Sequence, residues 1–256
     1  MRQRSKTAGQ ALPGRSHLNG EAAALDTGSP RLSVVMIGAT GAVGSEVVRS
    51  LLTSPVLERL TLLGRREQDG VRDGRVEQHV VDVLNPASYE ALLRGHSHAV
   101  CTLGVGQPSK MSKEEFLRID RDAVLGFARA CHEAGVGHFQ HLSSVGADSK
   151  SRSFYLRSKG ETEDQIAAQG FARASLFQPS MILTPTNRYG LSQAMTLLVW
   201  PRLTPFLLGG LRKFRGVPVA ELGGTMARNL TLSGAGVEVL QWDDFRRIAH
   251  PGSGGP

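Results

Sequence analysis

A chain of 256 residues that is 40% hydrophobic and 21% charged is long enough to bury a sizeable core and has an ordinary globular composition. The formal net charge of +7 favours anionic ligands, but aromatic residues make up only 5% of the chain, which argues against a nucleic-acid-binding surface. Cys101 and Cys131 form no C-x-x-C pair and the histidines have no metal-ligand spacing, so we expect no metal site. We expect both thiols to be small buried side chains in a reducing compartment, the cytoplasm.

The first thirty residues have no hydrophobic periodicity and little large apolar surface. Four basic residues and no acidic residue in the first twenty give them a weak likeness to a transit peptide, whereas a secretion signal would need an apolar core that they lack. We expect a disordered tail over residues 1–30, one domain over residues 31–250 and a frayed tail over residues 251–256.

A strand–turn–helix pattern begins the predicted domain. Residues 34–37 (VVMI) are typical of a parallel strand buried on both faces, and apolar residues recur at helical spacing over residues 45–52. In the intervening GATGAVG turn, Gly38 lets the chain reverse, Gly41 lets the backbone approach a pyrophosphate, and Gly44 lets the helix pack against the strand. This pattern predicts a dinucleotide site at the helix N-terminus, with contacts from Gly38, Thr40, Gly41, Ala42, Val43 and Gly44.

The second predicted strand, residues 60–63, indicates which dinucleotide is bound. A site for NAD usually places an Asp or Glu at the end of this strand, where it accepts hydrogen bonds from the ribose. Here the strand is followed by Arg65 and Arg66, whose guanidinium groups can pair with a 2′-phosphate. We therefore expect NADP(H) as the cofactor. The alternative is that both arginines are solvated loop residues.

Two further strands are predicted at residues 76–81 and 98–103, followed by a long helix over residues 112–135. At the end of the first of these strands, Asp82 and Val83 are expected to meet the adenine. An equally good interpretation of Asp82 is that it caps the following turn. Leu103, the last residue of the next predicted strand, and Gly104, which follows it, are expected to lie beneath the ribose and pyrophosphate.

The fifth predicted strand, residues 138–142, runs into Ser143 and Ser144, which should face the nicotinamide end of the same crevice. Tyr155 and Lys159 lie four residues apart on a predicted helix, so they share one helical face. A cation beside a phenol favours its ionised form. Lys159 is therefore expected to prepare Tyr155 for proton transfer near neutral pH while holding a ribose hydroxyl.

The last third of the chain is less informative. A sixth strand is predicted at residues 174–178, with Pro179 just beyond it, and further elements are predicted at residues 217–230 (helix), 237–240 (strand) and 243–249 (helix). The apolar stretch over residues 191–210 is too short and too interrupted by prolines to span a bilayer. We interpret it as a lid or wall of an apolar substrate pocket, or as an ordinary packed helix.

Taken together, these motifs resemble the atypical short-chain dehydrogenase/reductases, and more specifically the Tat-interacting-protein-like group. The resemblance covers about residues 33–185, in the order GATGAVG (38–44), LGRR (63–66), IDRD (119–122), LSSVGAD (142–148) and YLRSKGE (155–161). It implies a doubly wound α/β Rossmann fold, with a mainly parallel sheet, helices on both faces and a small C-terminal extension on the substrate side. Typical members of the superfamily carry an Asn on the helix before the serine strand, where this chain has Asp120.

The resemblance also implies the chemistry. Ser144, or alternatively Ser143, would orient the substrate oxygen, Tyr155 would donate or accept the proton, and Lys159 would activate Tyr155. At Pro179 the chain would turn over the nicotinamide. We expect an NADP(H)-dependent oxidoreductase that acts on a small carbonyl or alcohol, as a monomer or homodimer. The alternative is an NADP(H)-binding regulatory protein that acts through protein partners with little turnover. Sugar-nucleotide epimerase or dehydratase chemistry is a third hypothesis, for which the C-terminal segment is short.

Overall fold

The computed structural model describes residues 31–105, 111–184 and 207–252. The tail predicted over residues 1–30 and most of the apolar stretch predicted as a lid or packed helix lie outside these ranges. The division of the chain into two tails and a domain of residues 31–250 stays a prediction.

Among the described residues, seven strands form one sheet in which every neighbouring pair is parallel, in the order β3-β2-β1-β4-β5-β6-β9. A separate two-stranded sheet, β7 with β8, lies beyond the end of β6 in the chain. The strands are β1 (Leu32–Ile37), β2 (Leu57–Gly64), β3 (Val76–Val80), β4 (His98–Cys101), β5 (His138–Leu142), β6 (Arg173–Phe177), β7 (Ile182–Leu183), β8 (Val217–Pro218) and β9 (Gly236–Leu240).

The part of the chain that the structure describes contains six α-helices: α1 (Ala42–Leu52), α2 (Lys113–Leu117), α3 (Ala123–Glu133), α4 (Phe154–Ala168), α5 (Val219–Asn229) and α6 (Trp242–Ala249). Short 3₁₀ turns occupy Pro86–Ser88, Glu90–Leu93 and Gly209–Phe214. A π-helical turn, Arg118–Asp122, joins α2 to α3.

Alternate residues of β1 enter two separate cores, because successive side chains of a strand point to opposite faces. Val34 and Met36 pack in a core with residues of α1, α5 and α6. Val35 and Ile37 pack in a second core with residues of α3 and α4. All four side chains are fully buried, which explains why this strand is a continuous apolar run. The doubly wound Rossmann fold predicted from the sequence is therefore confirmed.

The strand order positions a crevice at the carboxyl ends of β1 and β4. From β1 the chain proceeds to β2 and β3 on one side, and then crosses to β4, β5 and β6 on the other. In an open parallel sheet, the loops diverge at such a reversal and leave room for a ligand. The glycine turn after β1 and the Leu103–Gly104 segment after β4 both lie there.

A polar network joins the edge strand β9 to the neighbouring strand β6. It includes Arg173, the first residue of β6. Arg173 Nε and Nη2 lie 2.9 and 2.7 Å from Glu238 Oε1, and Nη2 also donates to Asn229 Oδ1 over 2.8 Å. Ser175 Oγ donates to Glu238 Oε1 over 2.6 Å and lies 2.8 Å from His138 Nε2. The network links β5, β6, β9 and the end of α5.

Besides shifts of up to three residues at the ends of several elements, two helices differ from the sequence prediction. The helix predicted over residues 112–135 contains the π-helical turn at its middle, where one extra residue is accommodated. The helix predicted over residues 217–230 begins at Val219, because Val217 and Pro218 pair with β7 instead. The second difference arises from pairing with β7, a strand more than thirty residues earlier in the chain.

Candidate active site

The turn after β1 brings its backbone unusually close to α1 and β4. Gly38 has φ +86°, and a Cβ there would lie 2.6 Å from backbone atoms of Thr102 and Leu103. A Cβ on Gly44 would overlap the carbonyl oxygen of Gly38. Both positions therefore require glycine. Gly41 caps α1 with extended backbone, so the first N–H groups of the helix, from Ala42 onward, remain available to a ligand.

A cavity of about 360 Å³ opens beside this turn. Of the residues predicted to bind the cofactor, the structure places six in its lining: Gly38, Thr40, Arg65, Arg66, Val83 and Leu103. Side chains added at Gly38 or Gly44 would fill the space within the turn, and the helix that follows, α1, is eleven residues long. The guanidinium groups of Arg65 and Arg66 line the cavity at the end of β2. These features fit a phosphorylated dinucleotide.

Asp82 and Val43 are among the predicted residues that lie outside this lining. Asp82 is exposed and is not part of the cavity lining; its Oδ1 accepts a hydrogen bond of 3.0 Å from the N–H of Leu84. The turn-capping bond of Asp82 is thus observed, while its contact with the adenine stays a prediction. The side chain of Val43 is buried in the core that also contains residues of α5, so only its backbone could reach a ligand.

The serines after β5 stand at the same edge of the sheet. Ser143 is buried and its N–H donates to the carbonyl oxygen of Phe177 over 2.7 Å, while Ser144 is half-buried. The N–H of Val145 donates to the carbonyl oxygen of Pro179 over 2.9 Å. These two bonds hold the loops after β5 and β6 side by side.

Helix α4 presents Tyr155 and Lys159 to this edge. Ser153 caps the helix by accepting a hydrogen bond from the N–H of Leu156, so Tyr155 lies in the first turn. Its ring is half-buried and packs against Phe116 of α2, with 5.9 Å between ring centroids. Lys159 follows one turn later and is buried, in contrast to most lysines.

Lys159 forms an ion pair that the sequence did not predict. Its Nζ lies 2.8 Å from Asp120 Oδ2, and the two side chains are 4% and 2% exposed. Burial disfavours the ammonium, but the charge of Asp120, the nearby Tyr155 and a hydrogen bond to Asp120 together outweigh it, so the pKa of Lys159 is raised. Gly104 passes directly over the pair, since a Cβ there would lie 3.9 Å from Lys159 Nζ.

Two further polar pairs border the site and were missed. Gln178 Nε2 donates to both carboxylate oxygens of the buried Glu163, over 3.0 and 2.9 Å, and burial raises the pKa of Glu163 against the effect of these bonds. Gln68 and Gln78 line the cavity beside the arginines, and the N–H of Gln68 donates to Gln78 Oε1 over 2.8 Å. Glu163 lies four residues after Lys159 on one helix, so the sequence could have indicated that its carboxylate faces the same side of the helix as Lys159.

Within the three described ranges, no three His, Cys, Asp or Glu side chains gather closely enough to hold a metal ion. No helix in this part of the chain has the length and apolar character needed to cross a membrane. Cys101 and Cys131 are both buried free thiols, and burial raises the pKa of Cys101 to about 12.

Comparison with known proteins identifies the family. A family model described as NAD(P)H-binding matches residues 38–189. The rat protein HTATIP2 is 31% identical over 212 residues, which are 82% of this chain and 86% of the relative. The chain belongs to the Tat-interacting-protein-like group of atypical short-chain dehydrogenase/reductases.

Solved structures show the same fold for this short-chain dehydrogenase/reductase. MoeE5 in complex with UDP-glucuronic acid and NAD has a TM-score of 0.62 at 19% identity, over 81% of this chain and 75% of that chain. A double mutant of DesIV, a dTDP-glucose 4,6-dehydratase from Streptomyces venezuelae with NAD and DAU bound, has a TM-score of 0.62 at 17% identity, over 86% and 80% of the two chains. At these identities the likeness concerns the fold alone.

The comparisons contradict the expected cytoplasmic location. The FMP52 protein of Debaryomyces hansenii, which is named mitochondrial, is 30% identical over 192 residues, 73% of this chain and 82% of that protein. The fmp52 protein of Emericella nidulans, also named mitochondrial, is 30% identical over 155 residues, 59% and 66% of the two chains. The expectation was wrong because free cysteines indicate a reducing compartment without distinguishing one such compartment from another.

Proposed function

We propose that this short-chain dehydrogenase/reductase is an NADP(H)-dependent oxidoreductase that interconverts carbonyls and alcohols through Ser144, Tyr155 and Lys159. One observation carries the proposal: the half-buried Tyr155 and the buried Lys159 share a face of α4 at the carboxyl edge of the sheet, where the glycine turn also lies. An NAD(P)-binding fold of this family and a small-molecule site at the reversal of strand order support it.

The binding of the cofactor would divide between the two ends of the crevice. The N–H groups at the start of α1, from Ala42 and Val43, would hold the pyrophosphate beside Gly41 and Thr40. Further along the crevice, Leu103, Gly104, Ser143 and Pro179 would border the ribose and nicotinamide. When bound, the nicotinamide supplies or accepts a hydride at the reacting carbon.

The chain's own groups would act on the substrate oxygen. The Ser144 hydroxyl would donate a hydrogen bond to this oxygen and orient it, and Tyr155 would donate a proton to it during reduction. In the oxidation direction, the same phenol would first lose its proton and then accept one from the alcohol. Lys159 would favour the ionised phenol and would also hold a ribose hydroxyl, so its ammonium would contact both groups.

The preference for NADP(H) over NAD(H) rests on Arg65 and Arg66. Both are exposed and line the cavity at the end of β2, where their guanidinium groups can approach a 2′-phosphate. Glu67 lines the same end of the cavity and argues against NADP(H), because its carboxylate would repel a 2′-phosphate. Two cations against one anion favour the phosphorylated cofactor.

A binding and turnover experiment tests this proposal. Purified protein is titrated with NADPH and NADH, and then assayed against a panel of aldehydes and ketones, with Tyr155→Phe beside the wild type. We expect tighter NADPH binding, turnover of at least one carbonyl, and loss of that turnover in Tyr155→Phe. Tight NADPH binding without turnover across the panel would instead support the regulatory alternative, and turnover unaffected by Tyr155→Phe would overturn the mechanism.

A further inference from the structure

The partner of Lys159 belongs to a different part of the chain and is built into an irregular turn. Asp120 lies in the π-helical turn Arg118–Asp122, and such turns are often found at functional sites. Its Oδ2 pairs with Lys159 Nζ over 2.8 Å, while its Oδ1 accepts a hydrogen bond of 3.1 Å from the N–H of Val105. One carboxylate thus joins the helix before β5, the ammonium on α4 and the loop after β4.

The electrostatic environment of Lys159 makes this carboxylate its principal counter-ion. Among the described residues, the other titratable groups that interact with the ammonium are Tyr155 and Glu163 on α4, Cys101 on β4 and His141 on β5. The buried thiol of Cys101 is neutral, and burial together with the charge of Lys159 lowers the pKa of His141 well below its usual value, so it is neutral too.

Glu163 is the remaining acid near Lys159, but its two oxygens are held by Gln178. No ion pair joins it to the ammonium among the described residues, whereas Asp120 lies in direct contact. A buried ammonium without a partner is strongly disfavoured and loses its proton at a lower pH. The protonation of Lys159 therefore depends mainly on Asp120.

We propose that Asp120 is a positioning residue, which keeps Lys159 protonated and fixes its ammonium beneath the Gly104–Val105 loop at the cofactor crevice. This inference rests on the proposed function for its effect on catalysis, although the ion pair can be tested without turnover. It also gives a role to the acid that stands where typical members of the superfamily have Asn.

The pH profile of carbonyl reduction tests the positioning role. In Asp120→Asn the amide can still accept a hydrogen bond from Val105, but the counter-charge is lost. Reduction needs a protonated Tyr155 and, on this proposal, a protonated Lys159. Loss of Asp120 makes Lys159 release its proton at lower pH, so the rate of reduction should begin to fall at a lower pH than in the wild type.

In Asp120→Asn we therefore expect the alkaline limb of the kcat profile to shift to lower pH by at least about one pH unit. Loss of the charge pair changes the protonation equilibrium of Lys159 by about tenfold or more. Asp122→Asn is the matched control, since Asp122 lies two residues away and its side chain is 51% exposed. The control should retain the wild-type profile. Superimposable profiles for Asp120→Asn and wild type would overturn the proposal.

A thermal-unfolding cycle tests the same ion pair without any substrate. Asp120→Asn leaves a buried ammonium unpaired and should lower Tm markedly, whereas Asp120→Asn combined with Lys159→Met removes both charges and should recover most of the loss. Additive losses of Tm in the double variant would contradict the pairing. If the coupling is found but no carbonyl is turned over, the proposed function fails while Asp120 stands as the counter-ion of Lys159.

Discussion

The N–H of Val145 donates a hydrogen bond of 2.9 Å to the carbonyl oxygen of Pro179. Val145 directly follows Ser144, and Pro179 lies just beyond β6, so this bond fixes the backbone of the serine loop against the neighbouring loop. A hydroxyl held on a fixed backbone can act as an oriented hydrogen-bond donor without reorganisation.

Ser144→Ala tests that donor. We expect kcat for carbonyl reduction to fall by about 10²-fold or more, which is typical for removal of one preorganised donor to a reacting oxygen. The Kd for NADPH should change by less than about twofold, because the hydroxyl is assigned to the substrate. Ser149→Ala, on the same loop, should keep wild-type kinetics, and a normal kcat in Ser144→Ala would remove Ser144 from the mechanism.

Replacing Arg65 and Arg66 by Ala tests the choice of cofactor. Charge-assisted hydrogen bonds are worth about 1.5–3 kcal/mol each, so the double variant should bind NADPH at least about tenfold more weakly. Binding of NADH, which lacks the 2′-phosphate, should change little. Calorimetric titration measures both, with Arg72→Ala as an exposed control outside the cavity lining; equal weakening of the two cofactors would show that the arginines do not select NADPH.

His138 should make the protein sensitive to mild acid. Burial, the charge of Arg173 and the neighbouring His98 lower the pKa of His138 to about 3, so it stays neutral in the fold while the unfolded chain takes up a proton below its ordinary pKa of 6.5. The free energy of unfolding is thus unaffected above pH 6.5 and falls as pH drops from 6.5 towards 3, by about 1.4 kcal/mol per unit for this one group.

Urea unfolding at pH 7, 6 and 5 measures this effect. His138→Gln removes this titration, so the slope of the free energy of unfolding against pH should fall by about 1.4 kcal/mol per pH unit between pH 6.5 and 3. The same slope in wild type and His138→Gln would contradict the prediction.

Tyr89→Phe should preserve or slightly increase stability. The Tyr89 hydroxyl is buried without a hydrogen-bond partner among the described residues, while its ring packs edge-on against Phe127 with 6.1 Å between centroids. Removal of an unpaired buried hydroxyl relieves a desolvation cost and leaves the ring packing in place. A thermal scan measures Tm, and a fall of several degrees would show that the hydroxyl makes a favourable interaction.

The sequence predicted the parallel core of the fold well, because buried strands carry a strong local signal. The predicted bounds of β5 are those observed, and the predicted β1 differs only in starting at Val34 instead of Leu32. The requirement for glycine at Gly38 and Gly44 could also be predicted from the sequence, because it depends on a single turn between a strand and the helix that follows.

What could not be predicted depends on contacts between distant segments. Asp120 and Lys159 are 39 residues apart, and only the packing of α4 beside the π-helical turn brings them together. Asp82 had two interpretations because an acid after a strand can either meet a ligand or cap a turn, and only the fold shows that it bonds to Leu84. Periodicity is also insensitive to a single inserted residue, which is why the π-helical turn was missed.

The central claim is that Tyr155 moves the proton while a bound NADPH reduces a carbonyl, and a single-turnover experiment tests it most directly. Enzyme preloaded with NADPH is mixed with a carbonyl substrate, and the loss of NADPH absorbance is followed in wild type, Tyr155→Phe and the control Tyr89→Phe. We predict wild-type rates for Tyr89→Phe and a rate at least about 10²-fold lower for Tyr155→Phe with unchanged NADPH affinity. Equal single-turnover rates in Tyr155→Phe and wild type would contradict the account.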